Sequence, residues 1–232
     1  MTRHALTVLA FSSAILALAG DVQAQTARTQ KPAAPARAKE LAIGGVVAGP
    51  MSVGSASAEL LGGSGQPSVT LFDVENRLAT GFGIEMNIGA QLRRSVWLEV
   101  SGGWTRSEVR SLITDDFEDA PDETISAPMS RFVVEGALLR YFRQRGASAL
   151  FLRVSGGWMR ETAGGNTLTA DGAIAGAGLG FRHWWRMAGK GSMKRLGLRI
   201  EGRATIRHRG ISLGEGGLRL GPAGTAHLVF GY

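Results

Sequence analysis

From Leu41 to the C-terminus the chain alternates with period two, apolar against polar or small, in one segment after another. In Thr80–Ala90, Phe82, Ile84, Met86, Ile88 and Ala90 interleave with Gly81, Gly83, Glu85, Asn87 and Gly89. Only a β-strand turns such a period into one continuous apolar face. Ser95–Trp104 sets Val96, Leu98, Val100 and Trp104 against Glu99 and Ser101, and residues 130–142 set Phe132, Val134 and Leu138 against Arg131, Val133 and Glu135. Residues 149–160, 170–182, 196–207 and 224–232 repeat the pattern, and a first strand falls at about Leu41–Gly49, where both phases are small and apolar. Eight strands result.

Composition agrees. All 34 glycines but Gly20 lie in residues 41–232, about one residue in six against roughly one in fourteen on average, and helices resist that much glycine. Pro50, Pro67, Pro121, Pro128 and Pro222 all fall outside the predicted strands, so none is expected to remove a ladder hydrogen bond. The connections run about 30, 5, 24, 8, 9, 13 and 16 residues, with the long ones mainly at one end. That asymmetry is expected of an eight-stranded antiparallel up-and-down transmembrane β-barrel with long outer loops and short periplasmic turns.

The N-terminus predicts export. Arg3 precedes an uncharged run, Ala5–Ala19, and Val22-Gln23-Ala24 places small residues where signal peptidase cleaves. Residues 1–24 therefore read as a signal peptide, residues 25–40 (QTARTQKPAAPARAKE) as a Pro/Ala-rich periplasmic tether, and residues 41–232 as the barrel. With no cysteine, stability in an oxidising space has to come from packing and the backbone ladder.

Aromatic positions decide which phase faces lipid. Phe82, Trp104, Phe132 and Trp158 fall at the upper ends of strands two to five, and Phe142, Phe181, Trp184, Trp185, Phe230 and Tyr232 at the lower ends. Two girdles flanking an apolar band are what interfacial anchoring requires, whereas a soluble, lipocalin-like barrel, the competing fold, would want its aromatics mid-strand. Trp97 is an exception, since its phase places it with Glu99 in the lumen. Residues 80–104 (GFGIEMNIGAQLRRSVWLEVSGGW) and the closing HLVFGY resemble small bacterial outer-membrane β-barrel domains, of OmpA-barrel or OmpW-like architecture. The resemblance implies that Leu228, Phe230 and Tyr232 form a C-terminal signal read by the barrel-assembly machinery. It also implies a setting of outer-membrane lipid and lipopolysaccharide.

The formal net charge of +7 raises nucleic acid as a partner, but the phase of the arginines argues against it. Glu85, Glu99, Arg131, Glu135, Arg153, Arg199, Glu201 and Arg203 share the phase opposite the lipid face and are expected to pair inside a narrow lumen, because an isolated buried charge costs several kcal/mol. Arg93, Arg94, Arg143, Arg145, Arg186, Lys190, Lys194 and Arg195 gather on the shorter turns as a solvated rim or a contact for anionic headgroups. Asp115–Glu123 carries six carboxylates in an outer loop but lacks calcium-loop spacing, so a solvated loop is expected and no metal. His183, His208 and His227 show no catalytic pattern, and Gly176-Ala-Gly178-Leu-Gly180 and Gly189-Lys190-Gly191-Ser192 fail the nucleotide-loop spacings, so neither an enzyme nor a cofactor is expected. What remains is a structural or surface-interaction barrel with a largely plugged lumen. The alternative is a small conduit for an apolar or ionic solute, with a lipid-modifying enzyme a third choice.

Overall fold

In a computed structural model the protein is described over residues 38–60, 69–114, 121–165, 167–186, 195–211 and 218–232. The strands are β1 (Lys39–Ala48), β2 (Met51–Leu60), β3 (Val69–Leu78), β4 (Gly81–Arg93), β5 (Val96–Thr114), β6 (Glu123–Arg145), β7 (Ser148–Ala163), β8 (Leu168–Arg186), β9 (Arg195–Arg209) and β10 (Leu218–Gly231). Every pairing is antiparallel. β1, β4, β5, β6, β7, β8, β9 and β10 form a closed ring of eight, sealed by β1 on β10 from Glu40↔Gly231 to Ala48↔Ala223. Closure removes the free edges that would otherwise recruit other chains.

β2 and β3 are upward continuations of β1 and β4. The ladder Ala48↔Gly81 resumes at Met51↔Leu78, and Phe82↔Arg106 resumes at Leu78↔Val109. Between them Gly49 donates to Pro222 O at 2.7 Å and Ala79 to Glu108 O at 2.8 Å. The break beside β10 has a plain cause: neither Pro50 nor Pro222 carries an N–H to continue the ladder.

Two expectations change here. The link of about 30 residues after the first strand is largely a hairpin, and the link of about 24 contracts to residues 115–122, because β5 and β6 run on well past the predicted strands. The sequence pattern had stopped there because the polarity of the two phases changes, as described below. β1 also begins at Lys39, inside the predicted tether; Tyr232 N donates to Lys39 O at 3.0 Å and so ties the two ends of the ring together. The predicted signal peptide, tether residues 25–37 and acidic residues 115–119 lie outside the described residues, while Asp122 and Glu123 are exposed.

The two phases sort as the alternation requires. Ile84, Leu98, Val100, Val134 and Ile200 are about half exposed on the outer wall, while Glu85, Glu99, Glu135 and Glu201 beside them are buried. On β8 the inward phase is kept small for a packing reason. A Cβ at Gly180 would collide with the ring of Phe151, which is fully buried across the ladder.

Candidate functional site: the charged lumen

The lumen is stacked in layers. At its lower end Trp97, Ala137, Leu139, Tyr141, Ala149 and Phe151 form a buried cluster. Arg182 pairs with Glu40, donates to Tyr141 Oη at 2.9 Å, and lies over the rings of Tyr141 and Trp184 at 4.0 and 4.9 Å. A guanidinium desolvated against aromatic faces keeps electrostatic compensation through their quadrupoles.

The middle layer centres on Arg153, 1% exposed. Its guanidinium lies 3.2 Å from Glu99, 3.5 Å from Glu135, 3.6 Å from Glu201 and 3.8 Å from Glu85, and donates to Ser101 Oγ at 3.0 Å. Arg199 bridges Glu99 and Glu201, the latter at 2.8 Å, and Arg203 bridges Glu85 and Glu135, the latter at 3.3 Å. Ser155 Oγ donates to Glu135 Oε1 at 3.2 Å. Beside the layer His227 Nε2 lies 3.1 Å from Asn87 Nδ2 and 3.4 Å from Glu85 Oε1.

Above it, Glu161 accepts from Arg131 Nε at 2.8 Å, from Ile211 N at 2.9 Å and from Arg207. Met51, Val53, Leu78, Val109, Met129, Ala163 and Ile211 then close the lumen with an apolar layer. Among the described residues the buried charges balance: Arg131, Arg153, Arg182, Arg199, Arg203 and Arg207 face Glu40, Glu85, Glu99, Glu135, Glu161 and Glu201. Equal numbers of the two signs are what a narrow interior demands, since an uncompensated ion would carry its full desolvation penalty.

All eight predicted lumen residues are buried in this stack. Glu40, Glu161, Arg182 and Arg207 belong to it as well and were not among them. Parity identifies three of these, because Glu161 follows Arg153 on the inward phase of β7, Arg207 follows Arg203 on β9, and Arg182 follows Gly180 on β8. Glu40 was hidden by its assignment to the tether.

The girdles need one correction. Phe82, Trp104, Phe132 and Trp158 above, and Phe142, Phe181, Trp185, Phe230 and Tyr232 below, occupy the outward phase. Trp184 does not, because adjacent strand residues face opposite sides; it packs in the lumen against Arg182. Trp97 is buried as expected. His183 sits between Phe181 and Trp185, with Nδ1 2.8 Å from Ser148 Oγ, and His208 is exposed.

A wall with apolar side chains outward and ion pairs inward inverts the soluble barrel and is stable only against hydrocarbon, so the ring spans a membrane. No known family profile matches the chain, and no curated protein matches it. Among solved structures, Neisserial surface protein A is 12% identical over 84% of this chain and 95% of its own, with a TM-score of 0.46. The attachment invasion locus protein Ail of Yersinia pestis, in complex with the heparin analogue sucrose octasulfate, is 8% identical over 84% and 99%, with a TM-score of 0.42. The outer membrane protease OmpT of Escherichia coli is 9% identical over 85% and 97%, at 0.35. By the closure of its own ladder and the polarity of its two faces, the chain is an eight-stranded antiparallel transmembrane β-barrel.

Proposed function

We propose that this is a bacterial outer-membrane barrel with a structural or surface-interaction role, set among outer-membrane lipid and lipopolysaccharide, whose lumen is closed by its own charges. The observation that carries the reading is the middle layer, where one guanidinium, Arg153, reaches four carboxylates on four different strands within 4 Å. Such a cross-brace ties β4, β5, β6 and β9 to β7 across the lumen and leaves each ion little freedom to move aside for a solute. The apolar layers above and below it, with Leu78, Phe151 and Leu139 almost fully buried, add two further obstructions.

Single-channel recording in a planar bilayer tests this. The mature protein is expected to give no discrete current steps, whereas Arg153→Ala with Arg203→Ala, which leaves an excess of carboxylate, is expected to pass cations. Steps from the unaltered protein would replace the closed barrel with the conduit for a small solute.

Assembly is expected to depend on Leu228, Phe230 and Tyr232, which share the lipid-facing phase of β10 at the seam with β1. Deleting residues 230–232 should lower heat-modifiable barrel in outer-membrane fractions several-fold and raise degraded or periplasmic material. Undiminished assembly would remove these residues from any role as a signal to the barrel-assembly machinery.

A further inference from the structure

Above the upper girdle the two faces of β5, β6 and β7 exchange character. On the outward phase Trp104 is followed by Arg106, Glu108 and Arg110, Phe132 by Ser130 and Ser126, and Trp158 by Arg160. Exposed ion pairs form there between Arg77 and Glu75 at 2.8 Å, Arg110 and Glu108 at 3.4 Å, and Arg160 and Asp171 at 2.8 Å. On the inward phase of β6 and β7 charge gives way above Arg131 and Glu161 to Met129, Ala127 and Ile125, with Glu123 at the tip of β6, and to Ala163 on β7. On β10 it continues at Arg219, which pairs across the ladder with Arg207 and donates to Ile211 O at 3.4 Å. Polar outside and apolar inside is the pattern of a soluble barrel such as a lipocalin. The outward faces of β5, β6 and β7 above the girdle are thus suited to water, while Leu218 and Leu220 keep the outward phase of β10 apolar; on the inside, β5, β6 and β7 border an apolar cup.

Among the described residues the cup is not filled. A cavity of about 240 Å3 is bordered by Val109, Ile125, Ala127, Ala163, Leu168 and Ile211. Val109, Ala163 and Ile211 form a buried floor shared with the apolar layer below, while Ile125 (51%) and Leu168 (46%) are exposed at the rim. Two hydroxyls border the cavity, and both are engaged elsewhere. Ser111 Oγ donates to Asn76 Oδ1 at 2.5 Å, and Thr167 Oγ1 to Gly164 O at 2.7 Å. No charged side chain lines it among the described residues. A ligand would be held by apolar contact alone, and a charged one would lose its hydration without a replacement.

We propose that this cup binds a small, uncharged, apolar molecule from the aqueous phase outside the cell. A dry apolar cavity of about 150 Å3 is enough for benzene, so the space here suits one or two rings or a short aliphatic chain. The tail of a bilayer lipid does not fit the placement: Val109 lies about 16 Å of strand above Trp104, and the outward wall between them is polar. The proposal rests on the surface-interaction reading for its orientation and supplies the class of ligand that reading lacks.

Toluene titrated into the mature barrel in phosphatidylcholine nanodiscs, with Ile, Leu and Val methyl groups observed by NMR, tests it. Saturable shifts are expected at Val109, Ile125, Leu168 and Ile211, with apparent affinity at least tenfold weaker for benzoate. Ala127→Trp, which fills the cavity, should weaken toluene at least tenfold; should it not fold, Leu168→Ser at the exposed rim should weaken it several-fold. Non-saturating shifts shared with the lipid-facing Ile84, Leu98 and Ile200, indifference to both variants, or equal binding of benzoate would each overturn the proposal. A conducting unaltered barrel would overturn the closed lumen and leave this titration unchanged, so the two failures are distinguishable.

Discussion

Replacing Arg153 with alanine is expected to cost about 3–5 kcal/mol of stability, the range for breaking a buried ion pair by removing one partner. Arg153 is 1% exposed, and its loss leaves Glu85, Glu99, Glu135 and Glu201 facing one another with Arg199 and Arg203 between them and His227 beside Glu85. Urea unfolding in phosphatidylcholine vesicles measures the change. A second substitution, Glu99→Gln, should recover part of the loss, because it removes one carboxylate that Arg153 no longer compensates. A loss below about 1 kcal/mol, with no recovery in the double variant, would mean that water enters and solvates each charge individually, as at an exposed pair. That outcome would favour the conduit.

Ile200→Arg is expected to cost about 2–4 kcal/mol near the bilayer midplane, by a mechanism unrelated to pairing. Ile200 is half exposed on the outer wall and lies across from Phe181 on β8 and Ala226 on β10. No carboxylate stands opposite, so the new guanidinium meets hydrocarbon. Glu201→Gln combined with Ile200→Arg should be additive, although the two residues are adjacent in the chain, because the strand directs them to opposite sides of the wall. The same urea titration separates the cases. A marked rescue of Ile200→Arg by a change in the lumen would contradict the assignment of the phases.

The alternation carried most of the fold because a period of two is a local property. Ile84 beside Glu85, or Ile200 beside Glu201, needs no knowledge of the rest of the chain to be placed on opposite faces. The same rule, applied strictly, would have excluded Trp184 from the girdle, since its neighbour Trp185 already faces out. Strand ends were harder to read. Above Trp104 and Phe132 the outward residues turn polar while Val109, Met129 and Ile125 keep the inward side apolar, so a reader following an apolar outer face loses the strand where the membrane ends.

The sequence by itself determined the eight strands of the ring below the upper girdle, their two faces and the segregation of Glu and Arg to one of them there, because backbone geometry enforces parity residue by residue. Only the tertiary structure decided which charges meet. Arg199 reaches Glu99 across 100 residues of chain and Arg203 reaches Glu85 across 118, since closing the ring brings β9 opposite β4 and β5, and no local signal encodes that distance. It also decided that β5, β6 and β7 run on above the girdle, polar outside and apolar inside. A residue's surroundings, hydrocarbon or water, depend on its height along the barrel axis, and strand register and closure set that height.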